Sequence, residues 1–182
     1  MKRHLLLPWL LLPVLGQSPT PAPLKLSRSK VTFVSDAPLE RIAATTKAVK
    51  GALDPAQRTF AIRIPVRTFE GFNSPLQKEH FNENYMESDR WPDAVFTGRL
   101  IESIDMALPG RHAVRAKGIL EIHGERMERI IPCELVVGDE GVRVSGRFDV
   151  ELAAHGISIP GMVRQKIAPV IQVELDLLFT NR

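Results

Sequence analysis

Histidine and glutamate side chains are the residues of this sequence best suited to metal chemistry. His80 and Glu83 have the H-x-x-E spacing, which places both side chains on one face of a helix. Imidazole nitrogens and carboxylate oxygens both bind divalent metals, so His123 or His155 could supply a further ligand. Nothing in the sequence brings these residues together. A metal-dependent enzyme that uses His80 and Glu83 is therefore a minor hypothesis.

The single cysteine is predicted to be unreactive. Cys133 alternates with Ile131 and Leu135, which places its thiol on the apolar face of a strand. Apolar surroundings raise the pKa of a thiol and make it a poor nucleophile. The sequence also lacks the G-x-S-x-G, P-loop and H-E-x-x-H motifs. We therefore expect a protein that is not an enzyme, with no catalytic residues, no metal and no cofactor.

The first residues follow the order of a secretory signal peptide. Lys2 and Arg3 precede an apolar run over 5–15. That run is shorter than the roughly 20 apolar residues that span a bilayer, so the mature chain should have no transmembrane segment. We predict a signal peptide over 1–16, a Pro-rich linker over 17–23 and one domain over 24–182. The protein should be exported, to the periplasm or outside the cell.

Net charge argues against nucleic acid as a partner. Without residues 1–16 the chain carries 22 basic and 21 acidic residues, a net charge of +1. These charges are scattered along the sequence. Proteins that bind nucleic acid usually present a strongly basic patch or stripe.

Apolar residues recur with period two through most of the chain, which is typical of half-buried strands. In 142–150, for example, Val144 and Phe148 share one face, while Arg143 and Arg147 share the other. Strands are predicted over 30–34, 40–53, 58–66, 94–104, 112–122, 127–137, 142–150 and 167–179. Residues 75–89 lack this pattern and are predicted to form a short helix or compact loop that Ser74 caps. A second helical turn is predicted over 161–166.

These elements predict a mainly β protein, folded as a single antiparallel up-and-down β-barrel of about eight strands. Long strands joined by short turns favour a barrel over a sandwich. A lipid-facing outer-membrane barrel would need apolar-out strands and aromatic girdles, and the sequence is only 6% aromatic. The apolar faces are therefore expected to point inward.

The inward side chains are the candidate ligand-binding residues of an apolar cavity. An eight-stranded barrel either fills with side chains or holds one small ligand. Ala116, Gly118 and Gly146 on the apolar faces favour a cavity, because they leave volume unfilled. The candidates are Phe33, Phe60, Ile62, Ile64, Phe96, Leu100, Leu120, Ile122, Leu135, Val144, Phe148, Val173 and Leu175, with Cys133 also pointing inward.

Arginines alternate with the apolar residues and are predicted to form a solvated outer surface. They are Arg63, Arg67, Arg99, Arg143 and Arg147. A second interpretation is that an arginine or lysine near the barrel mouth binds a phosphate headgroup.

Three segments resemble the YceI-like family of exported bacterial proteins. They are L-Q-K-E-H-F-N-E-N-Y-M-E-S-D-R-W-P-D-A-V-F-T-G (76–98), G-I-L-E-I-H-G (118–124) and F-D-V-E-L-A-A-H-G-I (148–157). Lys78 and Glu79 depart from the Arg-Asp pair that usually precedes the histidine of the first segment. The resemblance implies a lipocalin-like barrel, because that is the fold of the family.

The resemblance also implies a ligand, since several family members hold a long isoprenoid in the barrel. We therefore expect an exported carrier or sequestering protein that binds an amphiphilic lipid, with an isoprenoid as the candidate. From its position, His80 is expected to bond backbone at the barrel mouth and hold the helix there, while Asn82 and Asn84 cap or brace neighbouring loops. The alternative is a non-catalytic structural or interaction barrel with a filled core.

Overall fold

The computed structural model describes residues 22–181, which form nine β-strands and one short α-helix. The predicted signal peptide over 1–16 lies outside the described residues, as does most of the predicted linker over 17–23. The strands are β1 (Leu24–Asp36), β2 (Arg41–Thr46), β3 (Lys50–Asp54), β4 (Thr59–Pro65), β5 (Asp93–Leu100), β6 (Gly110–Ile122), β7 (Glu125–Gly138), β8 (Gly141–Glu151) and β9 (Val170–Thr180).

The sheet closes into a barrel because β1 pairs with the last strand as well as with β3. Eight strands, β1 and β3 to β9, form the closed antiparallel ring. The extra strand, β2, pairs with β1 from Val31 to Asp36, whereas β3 pairs with β1 only at Leu24 and Lys25. The predicted mainly β, antiparallel barrel is confirmed.

The two ends of the barrel differ in what covers them. We call one the mouth end; its connections are residues 37–40, 66–92, 123–124 and 152–169. The opposite end, which we call the filled end, has the connections 55–58, 101–109 and 139–140. The two long connections, 66–92 and 152–169, both lie at the mouth end.

The helix lies in the first of these long connections. Helix α1 (Pro75–His80) continues as one π-helical turn (Phe81–Tyr85). Ser74 caps α1, since its hydroxyl accepts a hydrogen bond from the Gln77 amide at 3.2 Å, and Pro75 occupies the first turn. The predicted second turn is a 3₁₀-helix (Gly161–Val163). None of the helices within residues 22–181 is long and apolar enough to cross a membrane.

The hydrophobic core reaches from the mouth end to the filled end, where its side chains are packed most completely. Leu135 is completely buried there, and Leu100 and Phe179 are nearly so. Ile104 and Met106, which lie in the connection 101–109, pack against these core residues. Side chains therefore close this end of the barrel.

Candidate functional site

An apolar cavity of about 470 Å³ opens at the mouth end of the barrel. Its strand residues come from the half of each strand nearest the mouth, such as Ile122 on β6 and Ile171 on β9. The connections 66–92 and 152–169 supply the rest of the wall, including Phe69 and Ile157. The size lies within the range of cavities that bind small molecules.

Four phenylalanines form one side of the cavity. Phe33 on β1 lies with its ring centroid 5.1 Å from Phe69, 5.9 Å from Phe72 and 5.3 Å from Phe81. Phe72 and Phe81 lie 5.0 Å apart. Such aromatic pairs stabilise packing beyond the area they bury. The cluster thus joins the barrel wall to the connection that carries the helix.

Polar side chains at the cavity bind other parts of the protein. The buried Ser35 hydroxyl accepts a hydrogen bond from the Ala168 amide at 2.9 Å. Glu40 accepts hydrogen bonds from the side-chain amides of Asn73 at 3.2 Å and Gln77 at 2.9 Å. These contacts hold the β1–β2 turn against both long connections at the mouth.

Two basic side chains also lie at the cavity. His80 from α1 and Lys166 from 152–169 line it and are exposed to solvent. Tyr85 lies nearby, and burial raises the pKa of its phenol. The chemistry of the site is thus an apolar interior beneath a polar rim.

A family model for the YceI-like domain matches residues 24–179. The chain belongs to the YceI-like family. The match covers the whole barrel, from the start of β1 almost to the end of β9. A search of the curated proteins finds no significant match.

Solved structures share this fold at low sequence identity. BcnA of Burkholderia cenocepacia is 16% identical, with a TM-score of 0.68 over 82% of this chain and 94% of that one. A polyisoprenoid binding domain from Saccharophagus degradans is 12% identical, with a TM-score of 0.73 over 86% and 97%. The Campylobacter jejuni YceI protein is 14% identical, with a TM-score of 0.54 over the whole of both chains.

Six of the thirteen candidate cavity residues line the cavity of this YceI-like barrel. They are Phe33, Ile64, Leu120, Ile122, Phe148 and Val173. The other seven do not line it and pack elsewhere in the hydrophobic core: Phe60, Ile62, Phe96, Leu100, Leu135, Val144 and Leu175. The period-two pattern identifies the inward face of a strand, but it carries no information on depth along the barrel.

The small residues on the inward faces do not create the cavity. A Cβ atom on Gly118 would lie 2.2 Å from the Thr97 carbonyl oxygen, and one on Gly146 would lie 3.1 Å from Cys133 Sγ. Ala116 is buried in the core. The interpretation of these positions as unfilled volume is wrong, because neighbouring backbone and side chains occupy it.

The bracing residues have different environments. Asn82 is buried; its side chain donates a hydrogen bond to the Lys78 carbonyl at 2.9 Å and accepts one from the Ser88 hydroxyl at 3.0 Å. It therefore joins α1 to the loop that follows. His80 and Asn84 are exposed, and neither side chain makes a hydrogen bond with other residues of 22–181.

The arginines on the polar faces do not line the cavity. Arg63, Arg143 and Arg147 pair with Asp93, Asp176 and Glu174 on the outside of the barrel. Arg67 pairs with Asp89, and Arg99 is exposed. These five arginines therefore form part of the solvated outer surface and do not lie where they could bind a headgroup in the cavity.

The remaining candidates for chemistry are the metal ligands and the single thiol. Within the described part of the chain, no group of three or more His, Cys, Asp or Glu residues is placed to hold a metal ion. Cys133 is half-buried in the core, and burial raises the pKa of its thiol to about 11.

The period-two pattern does not reveal the contribution of the two long connections to the cavity wall. Phe69, Phe72 and Phe81 lie in a segment without strand periodicity, and Ile157 and Ile167 lie in the other. Half of the eight phenylalanines of the sequence are in the aromatic cluster, three of them in 66–92. Large apolar side chains concentrated in a non-strand segment are the signal that could have found this wall.

Proposed function

We propose that this protein is an exported, non-catalytic carrier or sequestering protein that binds an amphiphilic lipid, an isoprenoid, with its apolar chain in the barrel. The observation that carries the proposal is the cavity, which is apolar inside and polar at the rim. An amphiphilic lipid has the same polarity: its chain would leave water and its headgroup would stay at the mouth.

The energetics favour a ligand of this kind. Each buried methylene contributes about 0.8 kcal/mol, so ten buried carbons would give roughly 8 kcal/mol before the costs of association. Useful affinity therefore needs no buried charge on the protein. At the mouth, Lys166 and His80 are available to a polar or anionic headgroup.

The similar structures support the same ligand class. One of them is a polyisoprenoid binding domain, which shares this fold at 12% identity. Export is supported by the signal-like order of the first residues. A carrier is favoured over a fully filled structural barrel, since the mouth half of the barrel is hollow.

Native mass spectrometry of the protein purified from its host would test the proposal. We expect the wild-type protein to carry a lipid that organic extraction releases. The variant Ala94→Trp places an indole in the cavity and should reduce lipid occupancy at least tenfold. Ala61→Trp on the neighbouring strand β4 is the matched control, because Ala61 faces solvent.

Two results would overturn the proposal. One is a wild-type protein that neither retains a lipid nor binds added isoprenoid alcohols. The other is equal lipid occupancy of Ala94→Trp and Ala61→Trp, since lipid bound outside the cavity would not respond to the first substitution. Fractionation of the host cells tests export separately: the proposal expects the protein outside the cytoplasm.

A further inference from the structure

The cavity ends halfway along the barrel, at a floor of side chains. Every second residue of a strand points into the barrel. The residue two places further from the mouth than a lining residue is therefore the next inward side chain, one level deeper in the barrel. Ile64 on β4, Ala94 on β5 and Val173 on β9 line the cavity. The next inward residues on these strands do not: they are Ile62, Phe96 and Leu175, which pack against the core.

The strand register places Ile62 and Phe96 at one level. Ile62 pairs with Phe96, and Phe96 pairs with Leu120, which is still a lining residue. The Phe96 ring has a second ring directly against it, since its centroid lies 4.9 Å from that of Phe60. Below this level Leu135 and Phe179 are fully or almost fully buried. Core side chains of the described residues therefore pack the barrel below this level.

We infer that the floor formed by Ile62, Phe96 and Leu175 sets the length of lipid chain that the barrel holds, at about three isoprene units. This inference rests on the proposed lipid-binding function and adds a chain-length specificity to it. A water-sized group occupies roughly 30 Å³ in a liquid, so the cavity holds roughly 15 methyl or methylene groups. Further units of a longer chain stay outside the mouth.

Competition among isoprenoid alcohols with the same hydroxyl headgroup tests this directly. Equimolar geraniol, farnesol, geranylgeraniol and solanesol would be offered to the delipidated protein, and the bound fraction of each measured by native mass spectrometry. From geraniol to farnesol, affinity should rise at least tenfold, because the added unit is buried. From farnesol to solanesol it should stay within about twofold, because the added units find no room.

Substitutions in the floor should move this limit. Phe96→Ala opens a space like that of the engineered cavities that hold a benzene molecule, roughly 150 Å³, so geranylgeraniol should then bind at least fivefold better than farnesol. Ile62→Ala is the milder second variant and should shift the preference in the same direction. Val144→Ala removes two methyl-sized groups from the filled end, beyond the floor, and should leave the preference unchanged.

The outcomes separate this inference from the function on which it rests. Affinity that keeps rising from farnesol to solanesol would overturn the floor and leave lipid binding intact. Unchanged chain preference in both Phe96→Ala and Ile62→Ala would do the same. Failure of every alcohol to bind, in a protein that also retains no lipid from its host, would overturn both proposals. A plateau at farnesol that both floor variants extend supports both.

Discussion

His155 is a fully buried imidazole at the mouth end of the barrel. The 3₁₀-helix Ala153–His155 packs against β7 and β8 where these strands no longer pair, since their ladder extends only from Cys133–Gly146 to Gly138–Gly141. Neither ring nitrogen makes a hydrogen bond of good geometry with another residue of 22–181. Burial lowers the pKa of His155, and the charge of Arg129 lowers it further. The backbone of Ile122 and Glu125, and the Glu125 carboxylate, act in the opposite direction.

This buried imidazole predicts a loss of stability in mild acid. The unfolded chain binds a proton near pH 6.5, whereas the folded chain binds it only at lower pH. Because the unfolded state then holds more protons, the free energy of unfolding falls as pH drops below about 6.5, by at most about 1.4 kcal/mol per pH unit for this group. Urea unfolding at several pH values between neutral and mildly acidic measures the slope.

The matched variants for this prediction are His155→Phe and Ser88→Ala. His155→Phe removes the ionisable group and should reduce the slope with pH. Ser88 is equally buried and polar but does not titrate in this range, so Ser88→Ala should lower stability while the slope stays that of the wild type. Equal slopes for wild type and His155→Phe would show that another group causes the pH dependence.

The burial of Cys133 predicts that alkylating reagents modify its thiol slowly in the folded protein. Burial raises the pKa of its thiol from 9.0 to about 11, so the thiolate fraction is about a hundredfold smaller than for a free thiol. Iodoacetamide at mildly alkaline pH should therefore modify the folded protein at least a hundredfold more slowly than the urea-unfolded protein, as mass spectrometry can follow. A Gly138→Cys, Cys133→Ser double variant, with its thiol at an open site, should react fast when folded. Rapid modification of native Cys133 would contradict its placement in the core.

At the scale of elements, β5 and β6 approach each other so closely that glycine is required on both. Gly98 pairs directly with Gly118. A Cβ atom on Gly98 would lie 2.1 Å from the Lys117 carbonyl oxygen and 2.6 Å from the Gly118 Cα. Both neighbours are backbone atoms, so relief would require the strands to separate. Such a glycine marks a close approach of two backbones.

Alanine at Gly98 should therefore destabilise the barrel. We expect Gly98→Ala to lower the free energy of unfolding by about 1–3 kcal/mol, which is the usual effect of overpacking. Gly138→Ala is the control in the same barrel, because nothing lies within 4 Å of its added Cβ, and its effect should stay within about 0.5 kcal/mol. Urea titration gives both values. Equal effects would mean that β5 and β6 separate at little cost.

The strand pattern predicts the elements well where alternation is unbroken. The predicted strand over 142–150 corresponds to β8 (Gly141–Glu151), and 127–137 corresponds to β7 (Glu125–Gly138). Alternation fails at the start of β1, because the register shifts between Leu26 and Arg28. The pattern therefore predicts a strand only over 30–34, whereas β1 begins at Leu24.

Side-chain hydrogen bonds also interrupt a predicted strand. The segment 40–53 forms two strands, β2 and β3, separated by residues 47–49, which belong to no strand. The Thr46 hydroxyl lies 2.7 Å from that of Thr68 and accepts a hydrogen bond from the Ala48 amide at 3.1 Å. Bonds of this kind compete with the sheet ladder. Their partner, Thr68, is distant in sequence, so the local pattern could not reveal it.

The candidate site depends even more on contacts between distant residues. The sequence predicts which side chains point inward, because that follows from alternation on each strand. It does not predict how deep each one lies, since depth depends on how strands stagger around the ring. Leu120 and Leu135 therefore have the same inward assignment, although only Leu120 lines the cavity.

At the scale of the whole molecule, the filled end of the barrel contributes mainly to stability, and the mouth end contributes the cavity that binds ligand. Leu135 is 0% exposed and surrounded by core residues, whereas Leu120 is 5% exposed and lines the cavity. Truncating Leu135 leaves a new void among packed neighbours. Truncating Leu120 enlarges a space that already exists, so fewer packing contacts are lost. One substitution, Leu→Ala, thus separates the two roles without changing the chemistry of the side chain.

We expect Leu135→Ala to lower the free energy of unfolding by about 2–5 kcal/mol and Leu120→Ala by less. Addition of farnesol should then separate the two variants by how much the ligand stabilises each of them. A ligand at a hundred times its Kd stabilises the folded state by about 2.7 kcal/mol, and Leu135→Ala should keep this gain in full because it leaves the cavity wall intact. Leu120→Ala should lose part of the gain, since the lipid chain then has fewer contacts. Urea unfolding with and without farnesol measures all four differences. An equal gain in the two variants would mean that lipid binds elsewhere than beside Leu120.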